Sequence, residues 1–500
     1  VSGIKKLAGQ TLWYGGSSIA ARFINYLLTP LLTYSAVISK ADYGKIGLIY
    51  SALPVLNVLF TYGLETAYFR FSAKAENRST IFSTAFLSIA ISTLFFSLIL
   101  YTFPGILGGI TGLTDLPQLI KLSVLIISFD TLSTIPFARL RQEERPRMYA
   151  LVKISGILIN ILVTWFFISY CPSHFDPQNP NWLTLIYNPY INPVTYVLVA
   201  NLLQAIITLL MLSREIAQVR LKIDGRLWRE MMVYAMPLLI VGFGGVINET
   251  FDRLMLRWWL PGSEIYRESQ VGIYNACYKL SILITLFIQA FRMSAEPFFF
   301  KQAQGEKPQR TYARVMKFFV IVISVMFLLV SLFLNVWQYM IGASYRVGLK
   351  VVPILLLANM FLGIYYNLSI WYKLSNRTMA GAWITLLGAA VTTVINYFFI
   401  PHYGYMACAW ATFLCYGTMM VVSYIWGQKA YPVPYAWRKL VAYILISVGF
   451  FGLYTLFQGF IDNVWVNRVI ALILLSLYTL FILRVERKEF ARLPVIGKYL

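Results

Sequence analysis

Apolar stretches of about 20 residues recur along the whole chain, separated by short polar or basic loops. A helix rises about 1.5 Å per residue, so each stretch is long enough to cross a hydrocarbon core of about 30 Å. The pattern predicts about fourteen spans. They lie near 12–33, 46–69, 81–103, 117–138, 148–170, 192–213, 231–252, 271–291, 315–335, 350–371, 380–400, 405–427, 439–458 and 466–483. In lipid the backbone has no water to bond, so spanning segments satisfy their own N–H and C=O groups as helices. Barrel strands would be shorter and would alternate. The expected fold class is an all-α integral membrane protein.

Composition agrees. The 500 residues are 59% hydrophobic and 12% charged, against about 45–50% and about 25% in soluble domains. A soluble enzyme, a nucleic-acid module and a disordered scaffold are set aside. The formal charge is +22, but the basic residues sit mostly in loops between spans, which points to orientation rather than to nucleic acid. With the N-terminus placed in the cytoplasm, 29 of the 42 Lys and Arg fall on the cytoplasmic side, nine on the other, and Arg22, Arg70, Lys153 and Lys279 within or at the edge of spans. Both termini are therefore expected inside. The segment Leu7 to Tyr34 is too long for a cleavable signal and has no A-x-A site, so it reads as the first retained span.

The segment Phe69-Arg70-Phe71-Ser72-Ala73 at the end of span 2 is matched by Phe291-Arg292-Met293-Ser294-Ala295 at the end of span 8. Both follow a Tyr- and Gly-rich entry, Tyr43-Gly44-Lys45-Ile46-Gly47 before span 2 and Val271-Gly272-Ile273-Tyr274 before span 8. A shift of six spans keeps the orientation, which implies parallel repeats. The expected organisation is a lobe of spans 1–6 (residues 1–228), a lobe of spans 7–12 (229–430), and an appended pair with a basic tail (431–500).

Ionisable residues inside spans are costly, so they are the candidates for function. Arg22 lies mid-span and is expected either to face a wet cavity or to pair with Asp130 or Glu65. Lys279 lies in span 8 and either lines a cavity or snorkels outward. Arg70 and Arg292 read as positive-inside anchors or as basic gateposts for an anionic headgroup. Among the acids, Asp130 is the first candidate for H⁺ or Na⁺ coupling, followed by Glu65, Glu249 and Asp252. Glu65 could also neutralise Arg70, and Asp252-Arg253 reads as a local pair. Buried Asn and Gln are expected to bond between helices. The cysteines have no CxxC spacing, and the two histidines lie in loops, so neither a metal site nor a cofactor is expected. There is no G-x-x-x-x-G-K-[ST] loop, which argues against direct ATP drive.

The opening Leu12-Trp13-Tyr14-Gly15, Arg22-Phe23, Pro30-Leu31-Leu32-Thr33 and Asp42-Tyr43-Gly44 resembles the start of bacterial polysaccharide flippases. Asp252-Arg253-Leu254-Met255-Leu256 followed by Val271-Gly272-Ile273-Tyr274-Asn275-Ala276-Cys277-Tyr278-Lys279 resembles their seventh-to-eighth span junction. These are the oligosaccharide-lipid (Wzx-type) members of the multidrug/oligosaccharidyl-lipid/polysaccharide exporter superfamily. The resemblance implies two six-helix lobes in a V shape plus two further helices. It also implies flipping of undecaprenyl-pyrophosphate-linked repeat units between leaflets of the bacterial plasma membrane, through a cationic cavity. The implied partners are that glycan lipid, membrane lipids and other polysaccharide-assembly membrane proteins. Rival readings are a lipid II flippase, a multidrug/cation antiporter, and a membrane polymerase or ligase acting on the same carrier. The last would need a larger external loop than 171–193.

Overall fold

The computed structural model describes residues 20, 23–72, 77–178, 181–302, 308–375, 377–461 and 463–490. Arg22 lies outside them. Thirteen described helices are long and apolar enough to cross a membrane, and a shorter apolar helix, Phe23–Thr33, belongs to the expected first span. Among the described residues there is no strand. The all-helical fold class is thus observed.

The helices that matter for the site are α1 (Leu28–Thr33), α2 (Lys40–Thr61), α3 (Leu64–Ser72), α4 (Arg78–Thr102), α5 (Pro117–Gln142), α6 (Pro146–Trp165), α7 (Val194–Met211), α8 (Gly225–Glu249) and α9 (Asp252–Trp259). They continue with α10 (Glu264–Gln302), α11 (Pro308–Ser331), α12 (Val351–Leu368), α13 (Thr378–Tyr403), α14 (Tyr405–Ala430), α15 (Trp437–Phe460) and α16 (Val464–Val485).

Two boundaries differ from the sequence expectation, each for a local reason. Span 2 was expected as one run over 46–69. It begins at Lys40, because Ser39 and Asp42 form a reciprocal capping box. It breaks at Tyr62 and Gly63, whose φ angles of 36° and 75° are left-handed and stop an α-helix. Span 8, expected over 271–291, belongs to the 39-residue helix α10.

By internal contact the chain divides into two compact units, each discontinuous in sequence. The first comprises residues Val1–Lys279, Ile341–Val347 and Ala382–Cys415. Its core around α3 and α4 is built from Tyr62, Leu64, Tyr68, Phe82, Ile135 and Met231. Polar side chains bridge the helices as expected in a membrane. Ser97 and Ser128 approach to 2.6 Å, and the Asn160 amide donates to Gln204 at 2.8 Å. The arginines at the α5–α6 turn are neutralised locally, Arg139 by Glu143 at 2.6 Å and Arg145 by Glu215 at 2.6 Å. The hydrogen bond to Glu215 raises the Arg145 pKa above its ordinary value.

The second unit comprises Leu280–Met340, Gly348–Gly381 and Tyr416–Leu500. A Cβ on Gly363 would lie 2.7 Å from the Phe319 ring, so glycine sets the approach of α12 to α11. The last two spans are tied to α11 by an ionic knot just past the end of α16. Glu486, 3% exposed, accepts from Lys317 at 2.8 Å, Lys439 at 3.0 Å and the Tyr443 hydroxyl at 2.6 Å. Burial pushes the Glu486 carboxyl up, but the bonds from Lys317, Tyr443 and Lys439 outweigh it and hold the group below its ordinary value.

A carboxyl with a depressed native pKa stabilises the fold above its unfolded value and loses that contribution as it protonates. Glu486→Gln should therefore cost about 2 kcal/mol at neutral pH. In thermal unfolding of purified protein, the gap from wild type should narrow on acidification below the ordinary glutamate value of 4.5. A pH-independent gap would assign Glu486 a packing role only.

Candidate functional site

Inside the first unit, α2 and α10 cross on a pair of glycines. A Cβ on Gly44 would stand 1.9 Å from the carbonyl oxygen of Glu268, and a Cβ on Gly272 2.2 Å from that of Lys40. The obstructing atoms are backbone, so no rotamer change could make room for a side chain. The crossing is stitched by side chains: Lys45 lies 3.8 Å from Glu268, and the Tyr26 hydroxyl donates to the Lys279 carbonyl at 2.6 Å. The Tyr43 ring meets Tyr345 edge-on at 5.5 Å, and the Gly342 N–H donates to Thr33 at 3.0 Å.

One turn beyond Tyr274 along α10 lies Lys279, beside a buried charge knot carried by α9. Asp252 and Arg253 are 3% and 5% exposed. The Arg253 guanidinium donates to Asp252 at 2.9 Å and to the Glu249 carbonyl at 3.0 Å. Its plane lies over the Tyr278 ring at 4.2 Å. The second Asp252 oxygen accepts from the Tyr274 hydroxyl at 2.6 Å. Burial alone would make Arg253 easier to deprotonate, but the charge of Asp252 and the Tyr278 and Tyr274 hydroxyls more than compensate and hold its pKa above the ordinary value. The local Asp252-Arg253 pair expected from sequence is present, and both carboxylate oxygens are engaged. The Glu249 side chain is exposed. Among the described residues, Lys279 has no carboxylate within ion-pair distance, and the charge that acts on it is Arg253.

The two arginines of the repeated pentapeptide have like surroundings, each in its own unit. In the first, Arg70 lies over the Tyr234 ring at 4.1 Å. In the second, Arg292 lies over the Tyr366 ring at 4.7 Å. Both arginines are exposed. A ring face steadies a guanidinium and leaves the donors at its edge able to meet a planar anion.

Asp130 and Glu65 line one cavity of about 390 Å³ within the first unit, together with Arg141, Tyr149, Lys153 and Gln204. Glu65 pairs with Arg141, not with Arg70, because the α3–α5 packing brings Arg141 from another helix onto it. Its nearness to Arg70 in sequence places the two on one short helix but does not join them.

The structure thus brings Asp130 and Glu65 together and places Lys279 near Arg253, while Arg70 and Arg292 fall one in each unit. Sequence reasoning missed Arg141 and Tyr234 as partners and took Arg253 no further than its neighbour. Arg141 and Tyr234 are reached by tertiary packing, which leaves no spacing signal. The Lys153 signal was present, as a cation at a span edge.

The sequence model of one family, described as "Polysaccharide biosynthesis protein", matches residues 7–303. The chain belongs to this family. No curated protein sequence matches it. Among solved structures, one titled "Lipid II flippase MurJ, inward closed conformation" superposes with a TM-score of 0.71 at 14% identity, covering 94% of this chain and 98% of that one. An inward-facing multidrug resistance MATE family transporter of the MOP superfamily gives 0.63 at 13% identity, covering 84% and 94%. A eukaryotic MATE transporter, AtDTX14, gives 0.55 at 12% identity, covering 88% and 99%. At these identities the likeness establishes the fold, which is that of transporters and flippases.

A glycine crossing this tight should not tolerate a methyl group. With cysteines at Lys45 and Glu268, oxidation should form a disulfide in the wild-type background. Adding Gly44→Ala or Gly272→Ala should cut its yield severalfold. Gly245→Ala, where a Cβ meets nothing within 4 Å, should leave it unchanged. Equal yields in all backgrounds would show that the crossing does not depend on glycine.

Proposed function

We propose that this protein transfers undecaprenyl-pyrophosphate-linked oligosaccharide units from the inner to the outer leaflet of a bacterial plasma membrane, as a multi-pass protein with both termini in the cytoplasm. The observation that carries the reading is Lys279, a cation within a membrane-spanning helix with no acid beside it. A charge near the bilayer centre costs at least about 2.5 kcal/mol unless it finds a partner or water. A pyrophosphate passing through supplies that partner, and the Arg70 and Arg292 guanidinia offer the same chemistry to a phosphate near the span ends. A drug or cation antiporter would want unmatched acids instead, whereas Asp252 is held by Arg253 and Glu65 by Arg141, and Asp130 shares its cavity with the cation Lys153. Family membership supports a polysaccharide precursor over a drug as cargo. Other polysaccharide-assembly proteins and the surrounding lipids are the partners of this reading, and an H⁺ or Na⁺ gradient is its energy source.

The test is leaflet transfer in proteoliposomes loaded with a fluorescent undecaprenyl-pyrophosphate oligosaccharide. Lys279→Gln should slow transfer at least tenfold. Lys279→Arg should keep most of it, since the charge remains. Unchanged transfer by Lys279→Gln would remove the cation from the mechanism, and transfer of lipid II but not of the oligosaccharide would move the protein to cell-wall synthesis.

A further inference from the structure

The cavity bounded by α3, α5, α6 and α7 carries two acids and two bases, Asp130, Glu65, Arg141 and Lys153. Glu65 and Arg141 satisfy each other at one end. Asp130 lies 11 residues before Arg141 on α5, hence about 16 Å further into the span. Lys153 comes from the neighbouring helix α6. Among the described residues, neither the Asp130 carboxylate nor the Lys153 ammonium has a hydrogen-bond or ion-pair partner, and they do not pair with each other. The Lys153 ammonium rests instead against the rings of Phe137 at 5.3 Å and Tyr149 at 5.7 Å. Two opposite charges on adjacent helices line one volume and act on each other across it without closing to an ion pair. Ser133, Thr134, Gln204 and Thr208 supply neutral polar groups on the same walls.

We propose that this cavity is a binding site for a zwitterionic group, one ammonium and one phosphate or carboxylate carried on the same small ligand. The ligand's cation meets Asp130 and its anion meets Lys153. The lining has no net charge, which sets the site apart from any subsite for pyrophosphate: a dianion would lie against Asp130, and a bare amine against Lys153. The volume of about 390 Å³ falls within the range of ligand pockets, about 300–1,000 Å³. Two sources carry this chemistry, an ethanolamine-phosphate lipid headgroup and a sugar bearing both an amino and an acid group. The site stands whether or not the cargo is the one proposed above.

The test is calorimetric titration of the purified full-length protein in a non-ionic detergent free of zwitterionic lipid. The probes are glycerophosphoethanolamine and galactosaminuronic acid, with glycerol 3-phosphate and ethanolamine as single-charge controls. At least one zwitterion should bind saturably, and both controls at least tenfold more weakly. The tighter of the two zwitterions names the source. Asp130→Asn and Lys153→Gln should each weaken zwitterion binding at least tenfold, and the double variant should lose little more, since the two charges act on one ligand. Lys153→Arg should retain binding, which separates loss of charge from loss of fold. No saturable binding of either zwitterion, equal binding of a control, or wild-type binding by Asp130→Asn would overturn the proposal.

Discussion

A side chain on Gly44 would need the space held by the backbone carbonyl of Glu268, and one on Gly272 the space held by that of Lys40. This mutual exclusion lets two long helices touch backbone to backbone. It places Lys45 within reach of Glu268 and fixes where along α10 the polar and aromatic residues fall. From the crossing, Tyr274 bonds Asp252, Tyr278 lies under Arg253, and Lys279 follows one residue later. The position of the intramembrane cation is thus a consequence of a contact two helical turns away.

Charge inside this bundle is handled in three ways. Acids that need no access to solute are paired and buried, as Asp252 is by Arg253 and Tyr274, and as Glu486 is by Lys317, Lys439 and Tyr443. Exposed arginines at span ends are steadied on tyrosine rings, as Arg70 is on Tyr234 and Arg292 on Tyr366. Lys279, Lys153 and Asp130 are left without a charged partner. Truncating one partner of a buried pair leaves an uncompensated charge, which is strongly destabilising. Groups left bare by the fold itself are therefore the ones suited to meet a solute.

The fold class was legible because the bilayer demands it: apolar runs of span length admit helices and little else. The glycines at Gly44 and Gly272 were legible as letters, but the backbone-to-backbone crossing that requires them was not. The break at Tyr62–Gly63 was not foreseen, since a single glycine in an apolar run is compatible with a continuous helix. Pairings that follow the chain, such as Asp252 with Arg253, could be read directly. Pairings made by tertiary packing, such as Glu65 with Arg141 or Arg70 with Tyr234, could not, because no spacing rule connects helices that meet only in the folded bundle. The proposed cargo rests on chemistry of the same kind, a cation seeking an anion, and on family membership.

The most direct test of the account is the lipid that builds up when the protein is removed. In a host strain lacking the gene, mass spectrometry of extracted lipids should show an undecaprenyl-pyrophosphate oligosaccharide accumulating, with its glycan still protected from periplasmic enzymes. Restoring the gene should clear it. Accumulation of lipid II, or no accumulated polyprenyl lipid at all, would contradict the account.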